Sequence, residues 1–82
     1  MKILVNVTVP AISEQYDILL PDSLKIKNLI PLIAGAVEET SNHLFVSSGY
    51  EILCSIENNI RLDQHATFET YEIKNGDHLI MI

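Results

Sequence analysis

Polar and apolar positions change period three times along this chain, and those changes outline its elements. From Lys2 to Val9 they alternate, with Ile3, Val5 and Val7 on one side and Lys2, Leu4, Asn6 and Thr8 on the other. Alternation in a stretch rich in Val, Ile and Thr predicts a strand, and the first set makes its core face. Pro10 to Glu14 interrupt the pattern, and Gln15 to Leu20 resume it, so the two strands form a hairpin. From about Leu24 to Ser41 the apolar spacing becomes three-and-four. Ile26, Leu29, Ile30, Ile33 and Val37 then fall on one stripe of a helix.

Two residues complicate that helix. Ser23 is the chemically natural N-cap, but Pro31 would then lie deep in the interior, where proline costs about 3 kcal/mol. A start near residues 25–27 relieves part of the conflict. Gly35, without a side chain, would let another segment approach. Beyond the helix the reading is coarser, and the path of residues 44–49 does not follow from the pattern. Tyr50 to Ile56 reads as a third strand. Its parity is ambiguous, and apolar content favours Ile52, Cys54 and Ile56 inward with Leu53 and Ser55 outward. A turn at Glu57-Asn58-Asn59 leads to a short strand from Ile60 to Asp63 with Leu62 inward. Gln64 to Glu72 then cross irregularly, with one helical turn around Thr67 to Tyr71.

The chain closes on Lys74-Asn75-Gly76-Asp77, a strong turn signal because Asn and Gly tolerate positive φ. The strand His78 to Ile82 follows, with Leu79 and Met81 inward and His78, Ile80 and Ile82 on the other face. One helix between long first and last strands predicts an α+β, β-grasp sheet. Those two strands lie parallel at its centre, and the helix packs across one face.

Three groups of residues carry a family resemblance. The run Phe68 to Met81, with Tyr71-Glu72-Ile73, the Gly76 turn and Leu79, resembles the closing segment of ubiquitin-like domains. The helix entry Pro21 to Ile30 is similar to theirs. Asn75-Gly76-Asp77-His78-Leu79-Ile80-Met81-Ile82 resembles the last strand of the YukD-like (EsaB-like) proteins of type VII secretion systems, with His78 where a basic residue is usual. Pro31 and the long 41–49 connection depart from that pattern. The resemblance implies a small cytoplasmic accessory or regulatory protein of the secretion machine. Its implied partners are cytoplasmic domains of the membrane ATPase or other components, with homo-oligomerisation left open.

Size and charge narrow the alternatives. Eighty-two residues make one domain, 1–82, able to fold without metal or disulfide. Eleven acidic against five basic residues, a net charge of −6, argue against nucleic acid or an anionic membrane surface as the main partner. No apolar run approaches the roughly 20 residues of a membrane helix, and the alternating N-terminus is not a signal peptide. No catalytic, cofactor-binding or metal site emerges. His43, His65 and His78 lie in different elements, Cys54 is a lone thiol expected in the core, and no phosphate-binding glycine loop exists.

Ubiquitin-like modifiers and carriers act through a C-terminal Gly-Gly tail. This sequence ends Leu79-Ile80-Met81-Ile82, so a modifier would need a tail that is missing. A carrier of that kind, or a regulatory scaffold unrelated to secretion, are the alternatives to a secretion component. The expected contact surface is the outer sheet face, with Leu4, Leu53, Ile80 and Ile82 as an apolar cluster and His78 at its edge.

Overall fold

The computed structural model describes all 82 residues. Five strands, β1 (Lys2–Val9), β2 (Glu14–Pro21), β3 (Leu53–Ser55), β4 (Ile60–Arg61) and β5 (His78–Met81), form one sheet in the order β2-β1-β5-β3-β4. The only helix of more than one turn, α1 (Ile26–Thr40), packs across one face. β1 and β5 pair in parallel at the centre, and every other pairing is antiparallel. This is the expected β-grasp.

The central pair is tied at its entry by the Asn-Gly turn. The Asn75 Oδ1 accepts the Leu4 amide at 2.7 Å, and the Gly76 amide donates to the Leu4 carbonyl at 2.8 Å. Gly76 has φ +88°, a conformation that glycine adopts without steric cost. Asp77 closes the turn by accepting the Lys74 amide on its carboxylate. The turn, bonded across to a strand residue 71 positions earlier, thus helps to fix the β1–β5 register.

Side chains from β1, β5 and α1 interlock to form the core. Val5, Val7, Leu29, Ile33, Val37, Phe68 and Leu79 are completely shielded from solvent. Phe68 lies at the start of the 3₁₀ turn Glu69–Tyr71, where one helical turn was expected, and its carbonyl accepts the Ile73 amide. That bond helps turn the crossing segment back towards β5.

The helix begins late, with Lys25 rather than Ser23 at its N-cap and no side-chain cap. Tertiary contacts replace the cap. The Ile26 amide donates to the Ala66 carbonyl at 2.8 Å, and the Lys27 amide to the Gln64 carbonyl at 2.9 Å. Two of the four orphan donors of the first turn are thereby satisfied by a segment nearly forty residues away in the chain. Pro31 still falls in the second turn, but it and Lys27 are both exposed. Water can therefore hydrate the Lys27 carbonyl that proline leaves unpaired. Gly35 is exposed, and a Cβ there would meet nothing within 4 Å, so no segment approaches it.

The third strand corrects the expected parity. Leu53 is fully buried and Ser55 nearly so, whereas Cys54 is half-buried on the outer face and Ile56 is exposed. Pairing dictates this outcome: Leu53 is opposite Met81 and Ser55 opposite Leu79, both core residues, and directly paired residues share a face. Ser55 is tolerated inside because its hydroxyl accepts the Asn58 amide at 3.2 Å, which caps the following turn. β3 and β4 are shorter than expected, although Ile52 continues the ladder by two hydrogen bonds with Ile82.

The connection from α1 to β3 is built around two anchors. Phe45 is buried, and its amide donates to the Ser41 Oγ. The Glu51 carboxylate accepts the Ser47 hydroxyl, the Ser48 hydroxyl and the Ser48 amide at 2.6–2.7 Å. Burial pushes the Glu51 carboxyl up, but these hydrogen bonds outweigh it and hold the group below its ordinary range. Leu44, Val46 and Tyr50 remain exposed along the connection.

Candidate functional site: the outer face of the sheet

The face opposite α1 divides into an apolar and a polar half. Sheet pairing places Ile80 between Thr8 on β1 and Cys54 on β3, with Arg61 of β4 beyond Cys54. One step along β5, Ile82 is hydrogen-bonded across to Ile52, and one step back Ile56 donates its amide to the His78 carbonyl. Ile52, Cys54, Ile56, Ile80 and Ile82 therefore make a continuous apolar surface over β3 and β5. Ile82 is 65% exposed and Ile56 48%, while Ile80 is half-buried at the centre. An open depression beside Ile80 runs towards Ile60 and Arg61 on the edge strand.

The β1–β2 half is polar beside this cluster, with Leu4 and Leu19 exposed at its far end. Thr8 pairs with Gln15, and Asn6 pairs with Asp17 and donates to its carboxylate at 3.1 Å. His78, beside Asn6, borders the two halves. Its amide donates to Glu57 Oε1 at 2.9 Å, and its ring Nδ1 is 2.7 Å from Oε2. The ring contact first, then the backbone donor, hold the Glu57 carboxyl below its ordinary range. This clamp links the β3–β4 turn to β5 and frames the apolar half with a carboxylate.

Of the five residues expected here, His78, Ile80 and Ile82 lie together on the outer face. Leu4 is on the same face but opposite Leu19, four residues along β1 from Thr8, which is about 13 Å from the Ile80 row. Leu53 is not on this face at all; it is 0% exposed in the core. Its place is taken by Cys54, which alternation alone assigns to the core. Ile52 and Ile56 were missed by the same parity inversion. Alternation separates the two sets in β3 correctly, and only the pairing with β5 decides which set faces the core.

No group of three or more His, Cys, Asp and Glu side chains comes together as a metal site, and no helix is long and apolar enough to cross a membrane. The face offers apolar contact area and a polar rim.

The fold recurs in other proteins of known structure. The ubiquitin-like domain of the Mycobacterium tuberculosis type VII secretion protein EccD1 superposes with a TM-score of 0.79 at 12% identity, covering 100% of this chain and 98% of that one. The ubiquitin-like domain of EccD5 from Mycobacterium xenopi gives 0.73 at 15% identity, covering 100% and 93%. A ubiquitin-like domain from an Arabidopsis thaliana protein gives 0.74 at 21% identity, covering 99% and 76%. None of the curated proteins matches the sequence. At these identities the structural likeness shows the fold, and the sequence itself carries the narrower relationship. Residues 4–81 match the family model described as the WXG100 protein secretion system (Wss) protein YukD, and the chain belongs to that family.

Proposed function

We propose that this protein is a non-enzymatic docking module, a cytoplasmic accessory or regulatory component of a type VII secretion machine. On this reading the apolar half of the outer face is its contact surface. The observation that carries it is the cluster of Ile52, Cys54, Ile56, Ile80 and Ile82, concentrated on one half of the sheet of an acidic protein. An apolar centre within a polar rim is the usual anatomy of a protein interface. Glu57, His78 and Arg61 supply charged and hydrogen-bonding groups at the rim.

The partner class comes from the family and its structural relatives. A protomer of the ESX-3 core complex contains a similar region, with TM-score 0.70 and 20% identity, over 16% of that protomer's length. In that protein the ubiquitin-like fold is part of a larger chain within the machine. A module of this fold would act by binding, and a cytoplasmic domain of the membrane ATPase or another machine component is the partner we propose.

Ile80→Asp tests the reading by placing a charge at the centre of the cluster. The variant is expected to unfold cooperatively, to lose its partners in pull-downs from host extract and to depress secretion of the system's substrates. A folded Ile80→Asp protein that keeps every partner and full secretion would refute the docking role of this face.

A further inference from the structure

The connection between α1 and β3 displays apolar side chains that add nothing to the core. Leu44, Val46 and Tyr50 are 70%, 71% and 89% exposed, more than any other large hydrophobic residue but Met1. Phe45 goes into the core, and its neighbours Leu44 and Val46 are left outside. A single exposed aliphatic residue needs no explanation, but three large apolar side chains within residues 44–50 form a concentration on one short segment.

The segment that carries them is closed on itself. The helix ends in a Schellman motif: Asn42, at φ +58°, donates its amide to the Glu39 carbonyl, and the His43 amide donates to the Glu38 carbonyl. The Ser41 Oγ accepts the Phe45 amide at 3.1 Å, and Glu38 Oε1 accepts the Ser47 amide at 3.0 Å. The Glu51 carboxylate gathers Ser47 and Ser48, whose hydroxyl oxygens accept the Gly49 and Tyr50 amides in turn. Every amide from Ser41 to Tyr50 except that of Val46 thus has an acceptor within residues 37–51. Apolar side chains on a segment already fixed in shape lose little conformational entropy when a partner covers them.

Charge selects the occupant. Glu38 and Glu39 in the last turn of α1 and Glu51 at the end of the connection bracket the three side chains, and no Lys or Arg occurs between Lys27 and Arg61. The carbonyl end of the helix adds a partial negative charge. A second copy would bring the same carboxylates together with no cation between them, and an anionic membrane would be repelled. We infer that residues 41–51 are a preformed contact loop for a partner protein whose binding segment presents aliphatic side chains flanked by lysine or arginine. Leu44, Val46 and Tyr50 supply the apolar contact, the carboxylates favour the basic flanks, and Glu51 is a positioning residue that holds the loop in shape. This contact requires nothing of the Ile80 face.

The probe is a lysine-flanked peptide of leucine and alanine, titrated into the isotopically labelled protein and followed by NMR. Expected are saturable shifts at the methyls of Leu44 and Val46 and the amides of Ser47 to Tyr50, weakening with added salt. Glutamate flanks in the peptide should weaken binding by about tenfold or more. Val46→Ser combined with Tyr50→Ser should do the same in the protein while leaving cooperative unfolding intact, because both sites are exposed. Glu51→Ala should speed hydrogen exchange at the Ser48 and Tyr50 amides and weaken the peptide several-fold, although it removes none of the apolar side chains. Ile80→Asp should bind the peptide as the parent does, so failure of the docking reading leaves this one standing. Absence of binding by the lysine-flanked peptide, equal binding of the glutamate-flanked one, or shifts confined to the Ile80 face or to β2 would each overturn the proposal. Unchanged binding by Glu51→Ala would remove its positioning role. Binding to phosphatidylcholine vesicles that Tyr50→Ser abolishes would assign the loop to a lipid surface instead, and a dimer that Tyr50→Ser dissolves would assign it to a second copy.

Discussion

The β1–β5 seam and the β3–β4 limb are made of similar residues, yet the two differ in what orients them. In the seam, long alternating runs meet a turn whose Asn75 and Gly76 bond directly to Leu4. Local chemistry and hydrophobic period agree, and the faces follow. In the limb, β3 has three regular residues and β4 two, and both sets of alternate positions in β3 are apolar enough to be core. There the face is chosen by pairing with Met81 and Leu79. Period alone specifies a face only where one alternate set is clearly polar.

The sharpest way to break the comparison is to remove one core residue from each region. Leu79→Ala in the seam and Leu53→Ala in the limb should each lower stability by about 2–5 kcal/mol in denaturant unfolding, because both leave cavities in a closed core. Ile56→Ala, at an exposed site, should cost well under half as much. A small effect at Leu53 together with a large one at Ile56 would reverse the parity of the limb.

A smaller effect is expected in the turn that registers the seam. Gly76→Ala meets no atom within 4 Å, so its cost is the backbone penalty of φ +88° alone, about 1–2 kcal/mol in the same measurement. A neutral substitution would mean that the turn does not hold the register.

The clamp from the limb to the seam should show in acid. The Glu57 carboxyl is held below its ordinary range in the folded protein, so its contribution is complete above the ordinary carboxylate range and is lost as pH falls through the lowered folded value. Glu57→Gln should therefore remove a small acid-dependent part of the unfolding free energy. The loss should be greatest near neutrality, though small because the site is exposed to solvent, and should vanish in acid, where Glu57 is protonated. An unchanged pH profile in Glu57→Gln would show that the clamp contributes nothing.

The smallest difference is expected at Cys54. On the outer face and half-buried, its thiol should react with a soluble thiol reagent under native conditions at a rate within about tenfold of that in denaturant, because access limits attack. Native protection by several orders of magnitude would return Cys54 to the core and Leu53 to the surface.

Local pattern alone determined the order of elements, the β-grasp topology, the central β1–β5 pair and the presence of a helical turn near Phe68. These rest on periods of two and three-and-four and on an Asn-Gly turn, all of which act over a few residues. The placement of His78, Ile80 and Ile82 on the outer face was legible for the same reason: they alternate with Leu79 and Met81. Tertiary structure decided the rest. Leu53 went inward and Cys54 outward because β3 had to match β5, and Leu4 was separated from Ile80 by the strand register. The helix began at Ile26 because the carbonyls of Gln64 and Ala66 take up its first amides. Each of these outcomes depends on a partner remote in the chain, and a local hydrophobic pattern carries no information about which remote group will arrive.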